Sequence, residues 1–456
     1  MSFREETDSL GTVQVRADAL YGAQTSRAVK HFSISGLNMP QELIRAIARI
    51  KKAAAGVNSQ LKQIPPEYAD AIEQAAGEVI KGGLDEHFPV DVFQTGSGTS
   101  TNMNVNEVIS TRANEILTGT KKTREPVHPN DHVNHGQSTN DVMPSAIHMA
   151  ALELIRHELI PALGRLETEL EKKSKEFSHI KKIARTHLQD AVVMTLGQEF
   201  SGYAEQMRLA GHRLDAAAQG LLRLALGGTA VGTGLNAHPE FAQKVIAALA
   251  DETGFDFYEA PNHFEAQGAC DSAVETSGAV KTVAVSLSKI ANDIRWLASG
   301  PRCGLGEIRL PELLPGSSIM PGKVNPVMCE TAIQACAHVI GNDSAVTTAG
   351  QGGYFELNLM LPLIAFKLTE SIRILAGASD ALAEKCVSGI RADEEKCAGN
   401  LEKSLAVVTG LVPHIGYDRA AKLARHAYET RKTIEQAAAE KNILPENELK
   451  RALYGE

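Results

Sequence analysis

The sequence predicts a mainly α-helical fold, and three observations support that prediction. Ala and Leu are abundant, whereas aromatic residues make up only 5% of the 456 residues, a balance that favours helices over sheets. Apolar residues in the middle of the chain recur at alternating spacings of four and three, which is typical of helices that pack on other helices. Because several long segments share this pattern, we expect an elongated bundle of five helices.

The first part of the chain predicts short elements separated by turns. The opening, through 22–25, is expected to be irregular, and two helices follow near 40–62 and 66–81. A hydroxyl-rich loop, 94–104, then leads into a helix from about Val105. Loops of Gly, Ser and Thr are usually linkers, but the two glycines here would also let the backbone approach a ligand closely.

The middle of the chain predicts the five long helices, and short helices are expected beyond about residue 392. The long helices cover about 140–177 (bent at Pro161), 196–221, 280–297, 326–342 and 364–382. Their apolar faces exceed what one five-helix bundle buries, which predicts association with other subunits. The expected domains are an N-terminal mostly helical domain, a central helical bundle and a small helical C-terminal domain, at 1–137, 138–392 and 393–456.

Composition excludes several classes of protein. The net charge of −9 argues against a nucleic-acid or membrane-surface partner, and therefore against DNA reading by the segment 414–418. No apolar run of about 18 residues is present to span a membrane, and no secretory signal is visible. The six cysteines include no Cys-x-x-Cys pair, so free thiols and a cytoplasmic location are expected.

Four segments, far apart in sequence, concentrate hydroxyl, amide, imidazole and ammonium groups. They are Ser97–Thr99; His128–Asp131 with 137–141; Thr186–Asp190; and the loop 315–326 with Glu330. Several such donors and one lysine could surround a dicarboxylate without a metal, because carboxylates accept several hydrogen bonds and charge-assisted bonds are strong.

Each segment also has a purely structural interpretation. The loop 315–326 could be an ordinary loop-to-helix junction in which Asn325 is the N-cap and Pro326 the first helical residue. Asn140 and Asp141 could cap a helix, and His187 could be a hydrogen-bonded core histidine.

Phosphate and metal sites are weakly supported. The glycine-rich segment 226–234 lacks the Gly-Lys-Ser/Thr ending of a P-loop, so we interpret it as a connection between helices. His132 and His135 are three apart but have no third ligand of suitable type nearby. The dispersed cysteines do not suit an iron–sulfur cluster, so no metal and no cofactor are expected.

Taken together and in this order, the four segments resemble the motifs of the fumarase/aspartase superfamily. The run Gly316–Pro326 is similar to the signature loop of class II fumarases, and 300–302 and 355–358 also match. The resemblance implies a three-domain, mainly α fold with a central five-helix bundle. It also implies a homotetramer with a core of twenty helices, in which each active site draws residues from three subunits.

The resemblance implies reversible hydration of fumarate to L-malate, a step of the citric acid cycle. Ser317 would remove the C3 proton of malate, His187 paired with Glu330 would manage the proton for the departing hydroxide, and Lys323 would stabilise the developing charge. The implied substrate-binding residues are Ser97, Gly98, Thr99, Ser138, Thr139, Asn140, Thr186, Ser318, Val324 and Asn325. A second dicarboxylate site is implied at His128, Pro129, Asn130 and Asp131.

Some positions leave alternatives open. Thr139 stands where many fumarases have serine and also resembles aspartases, so aspartate ammonia-lyase is the nearest rival, whereas Ser97 and His128 resemble fumarase. The second site's arginine has no counterpart in register, although Arg124 is close in sequence. A catalytically silent helical scaffold is a third hypothesis, against which the intact Ser317 argues.

Overall fold

The computed structural model describes residues 2–455, and it confirms the prediction of a mainly helical protein. Within that range the chain forms seventeen α-helices, and its strands occur only in two-stranded pairs. Helices therefore supply the cores of the protein, and the strand pairs serve to position short loops.

The α-helices are numbered along the chain. They are α1 (Ala23–His31), α2 (Gln41–Gln60), α3 (Pro66–Ile80), α4 (Thr99–Thr118), α5 (Thr139–Leu154), α6 (Ile160–Glu176), α7 (Leu196–Ala218), α8 (Phe241–Thr253), α9 (His263–Gly268), α10 (Asp271–Leu297), α11 (Val327–Gly350), α12 (Leu361–Lys385), α13 (Glu394–Lys403), α14 (Val412–Ile415), α15 (Tyr417–Thr430), α16 (Ile434–Glu440) and α17 (Glu446–Tyr454). Two turns are π-helical, Pro129–Val133 and Ile155–Leu159. Short 3₁₀ segments lie at Asp85–His87, Gln219–Leu222, Val387–Gly389 and Leu405–Leu411.

The strands are short and pair mostly in antiparallel fashion. They are β1 (Phe3–Asp8), β2 (Gly11–Arg16), β3 (Lys181–Thr186), β4 (Gln189–Thr195), β5 (Arg223–Leu224), β6 (Tyr258–Glu259), β7 (Ile308–Arg309), β8 (Gly353–Tyr354), β9 (Leu357–Asn358) and β10 (Arg391–Ala392). The pairs β1–β2, β3–β4, β7–β10 and β8–β9 are antiparallel, and β5–β6 is parallel.

The chain divides into two compact units. The first unit contains the chain up to Pro161, His212–Ala284 and Ala337–Ala376. The second unit contains Ala162–Gly211, Val285–Cys336 and the chain from Gly377 onward. The domain boundaries predicted from the sequence, near residues 137 and 392, stay a prediction.

The long helices form where their apolar periodicity predicts them. The predicted seam of α7 and the 3₁₀ turn after it is buried throughout, with no position more than 5% exposed. In α10 the corresponding positions, from Val280 to Leu297, are at most 4% exposed, and those of α12 are fully buried. The alternating spacing of apolar residues therefore identified the buried face of each helix correctly.

A π-helical turn lies where the bend at Pro161 was predicted. Pro161 is the second residue of α6, and Ile155–Leu159 immediately precedes that helix. Proline has no N–H, and its ring crowds the carbonyl four residues earlier, which here belongs to His157. A wider π-helical turn accommodates that crowding.

Several boundaries differ from the predictions. Helix α10 begins at Asp271 and α11 ends at Gly350, so both are longer than expected, and three further differences are explained by particular contacts. The opening segment is not irregular: it forms the hairpin β1–β2 and helix α1. Arg4 closes that hairpin by donating to the carbonyls of Arg16, Ala19 and Tyr21. Helix α4 begins at Thr99 rather than near Val105, because its polar first turns are buried and find polar partners inside the protein.

The third difference lies at the start of α11. Asn325 does not cap this helix: its side-chain amide donates to the carbonyl of Gly316, and the helix begins at Val327 rather than at Pro326. The asparagine therefore closes the preceding loop, since its amide finds a carbonyl nine residues back.

Two further findings concern the whole described chain. Within residues 2–455, no helix combines the length and the apolar character needed to cross a membrane. All six cysteines are free thiols, and five of them are buried.

Candidate functional site

The segment Gly96–Thr99 leads into α4 in the first unit. Ser97 Oγ and Thr99 Oγ1 are 2.8 Å apart and share a hydrogen bond. Gly98, with φ +79°, precedes the helix, and a Cβ there would lie 2.5 Å from Met143 Cε. A Cβ on Gly96 would lie 1.9 Å from the Leu359 carbonyl oxygen. Glycine is thus required at both positions, and the two hydroxyls are held beside the N–H groups of a helix N-terminus, which favour an anion.

Ser138 and Asp141 form a capping box at the N-terminus of α5. Ser138 Oγ accepts from the N–H of Asn140, and the Asp141 carboxylate accepts from the N–H of Ser138. The same carboxylate also accepts from the N–H groups of Gly227 and Thr229, at 3.1 and 2.9 Å. The capping role considered for Asp141 is therefore present, and Asp141 also holds the segment 226–234, which connects β5 to α8, against α5.

Burial perturbs two ionisable groups in this part of the first unit. It raises the pKa of Asp141 to about 6, although three backbone N–H groups oppose that shift. It lowers the pKa of the fully buried Lys51 to about 7, with the nearby Asp141 charge opposing. Lys51 Nζ donates to the side-chain oxygens of Asn134 and Gln137, at 2.7 and 2.9 Å.

Sequence reasoning missed this buried polar network. Asn102 Nδ2 donates to Thr139 Oγ1 at 3.0 Å, and Asn102, Asn106 and Lys51 all donate to Asn134 Oδ1. Because Asn102 occupies a lone pair of the Thr139 hydroxyl, that hydroxyl is oriented to donate its hydrogen elsewhere. A lysine on the apolar face of α2 was the available signal, since charged residues are rarely buried without partners.

Asn140 and the outer segment 128–131 lie in the same unit. Asn140 Nδ2 donates to the carbonyl of Ala230 at 2.7 Å, which leaves its side-chain oxygen as an acceptor. His128 precedes the π-helical turn that begins with the buried Pro129, and its Nδ1 accepts from the N–H groups of Asn130 and Asp131. The side chains predicted for the second site are therefore adjacent, apart from Pro129, which packs inside.

Arg124 reaches the ring of His128. Its Nε and Nη2 lie 3.0 and 2.7 Å from His128 Nε2. Burial lowers the pKa of His128, and Arg124 lowers it further while Asp131 opposes. Arg124 Nε donates to His128 Nε2, so the guanidinium is held on the imidazole ring beside the segment 128–131.

Thr186 and His187 lie at the tip of the hairpin β3–β4 in the second unit. Thr186 pairs with Gln189, so His187 and Leu188 form a two-residue turn, in which both residues have φ +59°. This left-handed conformation is strained for residues other than glycine or asparagine. Thr186, His187 and Leu188 are all exposed. His187 is therefore not a core histidine within this chain.

The loop 315–326, also in the second unit, folds back on itself. Ser317 Oγ accepts hydrogen bonds from the N–H groups of Ile319 and Met320, at 3.2 and 3.0 Å. A Cβ on Gly316 would lie 1.5 Å from the Lys323 carbonyl oxygen, so only glycine permits this closure. Ser318 and Val324 are exposed on the same loop. Two N–H groups directed at one hydroxyl oxygen would stabilise negative charge on it.

Three side chains predicted to carry chemistry have no partner in the chain alone. Within residues 2–455, the side chains of His187, Lys323 and Glu330 make no hydrogen bond or ion pair, and all three are exposed. In particular, His187 and Glu330 are not paired with each other. The same described residues contain no group of three His, Cys, Asp or Glu side chains that could hold a metal ion.

The predicted site residues are divided between the units. Those of segments 97–99, 128–131 and 138–140 belong to the first unit, whereas Thr186, His187, the loop 315–326 and Glu330 belong to the second. In the first unit, the hydrogen bond from Asn102 to Thr139 joins the start of α4 to the start of α5.

Comparisons with known proteins identify the family. The lyase family model matches residues 11–341, and the model for the fumarase C C-terminus matches residues 407–455. The class II fumarate hydratase of Neisseria meningitidis is 54% identical over 444 residues, which cover 97% of this chain and 96% of that protein.

Solved structures agree with this assignment. The crystal structure of a class II fumarase from Schistosoma mansoni matches with a TM-score of 0.96 at 40% identity, covering 99% of this chain and 98% of that one. A Brucella melitensis structure, described as fumarate lyase:delta crystallin bound to cobalt, also matches with a TM-score of 0.96, at 46% identity, and covers the same shares. With family models, relatives and structures in agreement along nearly its whole length, the chain belongs to the class II fumarases of the lyase family.

Proposed function

We propose that this chain is a hydro-lyase that catalyses the reversible hydration of fumarate to L-malate. The main support for the proposal is that Ser317 Oγ accepts hydrogen bonds from two backbone N–H groups. Lys323 belongs to the same loop. Similarity to class II fumarate hydratases over nearly the whole chain favours this substrate over aspartate.

In the malate-to-fumarate direction, Ser317 removes the C3 proton. A serine is a weak base at its ordinary pKa, so its oxyanion needs stabilisation, which the N–H groups of Ile319 and Met320 supply. Loss of the proton leaves an aci-carboxylate dianion. Lys323 and Asn325 stabilise that charge, and preorganised donors of this kind usually contribute the largest share of the rate enhancement.

The second half of the reaction expels hydroxide from C2. His187 delivers a proton through water, so that the leaving group departs as water and the double bond of fumarate forms. Glu330 orients the imidazole and holds its proton, as imidazole–carboxylate pairs do. Because the two side chains are unpaired within one chain, we propose that Glu330 of one subunit meets His187 of another.

The remaining side chains bind the carboxylates and the hydroxyl of the substrate. They are Ser97, Gly98, Thr99, Ser138, Thr139, Asn140, Thr186, Ser318, Val324 and Asn325. Ser138 and Thr139 already accept hydrogen bonds from protein N–H groups, so their O–H hydrogens are free to donate to a carboxylate.

The segment His128–Asp131 forms a second, outer dicarboxylate site. Its support is the guanidinium of Arg124, which donates to His128 Nε2 and so brings a positive charge to this segment. Arg124 would then take the role of the family's second-site arginine, which has no counterpart at the same position in this sequence.

The working protein is a cytoplasmic homotetramer. Large apolar side chains remain exposed on the long helices, including Val285, Trp296 and Ile340 at 55%, 49% and 38%, and patches of this kind mark subunit interfaces. Buried free thiols support a reducing compartment. The reaction needs no metal or cofactor in this scheme, and its partners are fumarate and L-malate only.

Separate assays with L-malate and L-aspartate test the proposal. Fumarate formation from malate, followed by ultraviolet absorbance, is expected, with none from aspartate. The Ser317→Ala variant should lose activity about 100-fold or more, as expected for a general base, whereas Ser388→Ala, which removes an exposed hydroxyl in the same unit, should not. Activity on aspartate alone would favour the ammonia-lyase, and a Ser317→Ala enzyme equal to wild type would favour the silent scaffold.

A further inference from the structure

Glu307 is a buried carboxylate beside the hairpin that carries Thr186 and His187. Its side chain is completely buried and accepts two hydrogen bonds from the guanidinium of Arg185, at 3.0 and 2.7 Å. Asn400 Nδ2 donates to it at 3.1 Å, and Lys182 Nζ lies 3.4 Å away. No role in the proposed reaction has been assigned to Glu307 or to its partners so far.

The backbone of Glu307 is fixed on both sides. Its N–H donates to the carbonyl of Leu297 at the end of α10, at 2.8 Å, and its carbonyl accepts from the N–H of Asp393 at 2.9 Å. The thiol of Cys397 donates to the same carbonyl at 3.6 Å. The backbone of Glu307 is thus attached to the end of α10 and to the start of α13 in the second unit, and these contacts lie outside the hairpin.

Arg185 lies one residue before Thr186, between an irregularity in the strand pairing and the turn at the tip of the hairpin. The strand register shifts between Ile183 and Arg185, and the turn beyond has neither glycine nor asparagine although both of its residues have positive φ. Strained backbone of this kind persists only where the surrounding structure holds it. The two-point contact from Arg185 to Glu307 supplies such a hold.

The charges of this cluster balance. Arg185 and Lys182 face Glu307 and Glu199, and Lys182 Nζ lies 2.6 Å from Glu199. Burial acts to raise the pKa of Glu307, but the bonds and charges of Arg185 and Lys182 outweigh it and leave that pKa below its usual value. Buried ion pairs contribute little net stability but can impose a unique geometry, and a planar guanidinium held at two points has a defined orientation.

We propose that Glu307 is a positioning residue for the reaction, which by holding Arg185 orients Thr186 and His187 toward the substrate. This inference rests on the proposed hydration of fumarate, because that reaction gives Thr186 and His187 their roles. Glu307 itself touches no substrate: it acts through Arg185 and the turn.

A double-mutant cycle tests whether Glu307 acts through His187. In the wild-type background, Glu307→Gln keeps the shape of the side chain and is expected to lower kcat about 10-fold to 100-fold, as a displacement of about 1 Å can do. In the His187→Asn background, the same change should lower kcat less than about 2-fold, since the group that it positions is already gone. Equal losses in both backgrounds, or no loss in either, would overturn the inference.

Two further variants separate positioning from folding. Arg185→Lys keeps the positive charge but cannot make the two-point contact, so it should reproduce the loss of kcat even if Glu307→Gln does not fold. Asp380→Asn removes the carboxylate that pairs in the same way with Arg165 elsewhere in the second unit, and it should leave kcat unchanged.

Hydrogen exchange gives a readout that does not depend on activity. In Glu307→Gln and Arg185→Lys, the amides of 186–189 should exchange faster than in the wild type, while those of α7 stay protected. Unchanged exchange at the turn would contradict the inference. A wild-type enzyme that is inactive on fumarate and malate would instead contradict the proposed function. The exchange comparison would still show whether the contact between Arg185 and Glu307 holds the turn in place.

Discussion

At the scale of single residues, the hydrogen bonds that a hydroxyl or amide already makes determine which further bonds it can form with a substrate. Thr139 already accepts a hydrogen bond from Asn102, and Ser138 already accepts one from the backbone. The hydrogen of each of these hydroxyls is free to donate outward, which suits a carboxylate. Ser317 Oγ accepts from two N–H groups, which favour the charged form that a base requires.

Two substitutions of Thr139 distinguish the contribution of its hydroxyl to substrate binding from the contribution of its shape. Thr139→Val keeps the volume but removes the O–H, and the loss of one hydrogen bond to a charged carboxylate, about 1.5–3 kcal/mol, should raise KM about 10-fold to 100-fold. Steady-state kinetics with L-malate would measure it. Thr139→Ser is the matched control, since it keeps the hydroxyl and should retain KM within about 3-fold. Equal effects of the two variants would exclude a binding role for the hydroxyl.

The buried Lys51 predicts a pH dependence of stability. Burial lowers its pKa to about 7 in the folded protein, from 10.5 when exposed. Between these values the unfolded chain binds the extra proton, so stability should rise with pH by about 1.4 kcal/mol per unit. The free energy of unfolding in urea, measured from pH 7 to pH 10, should therefore increase in the wild type relative to Lys51→Met.

Lys52→Met is the control for this measurement. It removes a partly exposed lysine at the next position, which lies 3.3 Å from Glu252, and it should keep the pH dependence of the wild type. A difference between wild type and Lys51→Met that stays constant with pH would show that Lys51 is charged throughout.

At the scale of elements, the candidate site is built where helices and strands end. The N-termini of α4, α5 and α11 and the tip of β3–β4 carry almost every predicted residue. Helix N-termini offer unpaired N–H groups, and hairpin tips hold side chains away from the ladder. Residues at such positions can have strained backbones, most clearly His187 and Leu188, which both have φ +59°.

Glycine substitution measures that strain. Leu188→Gly removes about 1–2 kcal/mol of left-handed strain and adds about 0.5–1 kcal/mol of unfolded-chain entropy, so the protein should be equally or slightly more stable. Val192→Gly, at an exposed position in the extended strand β4, brings only the entropy cost and should lower stability by about 1 kcal/mol. Thermal unfolding of both variants makes the comparison, and a larger loss for Leu188→Gly would mean that its side chain has an essential contact.

At the scale of the whole molecule, one chain leaves its chemistry incomplete. His187, Lys323 and Glu330 are exposed, and within residues 2–455 their side chains have no partners. Apolar side chains on α10 and α11 are exposed as well. Both observations are what the proposed homotetramer predicts, since further subunits would cover the helices and bring the missing partners.

Mixing two strongly impaired variants tests the shared site. Ser317→Ala and His187→Asn are each expected to retain only a small, measurable residual activity alone. If a site takes Ser317 and His187 from different subunits, randomly mixed tetramers should recover about a quarter of the wild-type activity, because each intact residue is supplied with a probability of about one half. Subunits are exchanged by unfolding and refolding together, and sedimentation should give a mass four times the 48.8 kDa chain. No recovery in confirmed mixed tetramers would place both residues in one subunit.

The fold was predictable from the sequence where local patterns of apolar residues determine it. The seams of α7, α10 and α12 follow from apolar spacing, because a helix buries one face whatever its neighbours are. The hairpin β1–β2 was missed although its pairing is local, whereas the start of α4 was missed because it depends on distant partners. The buried Asn102 and Asn106 of α4 find their partners in Asn134 and Thr139, and no local pattern encodes that contact.

By itself, the sequence determined the helical class, the buried faces of the long helices and the inventory of reactive groups, because periodicity and motifs are properties of neighbouring residues. Only the tertiary structure decided how those groups are held: Asn325 on the Gly316 carbonyl, Asp141 on the amides of Gly227 and Thr229, and Arg185 on Glu307. The physical reason is that a buried polar group must find a partner wherever the fold provides one, and in this chain that partner is often far away in sequence.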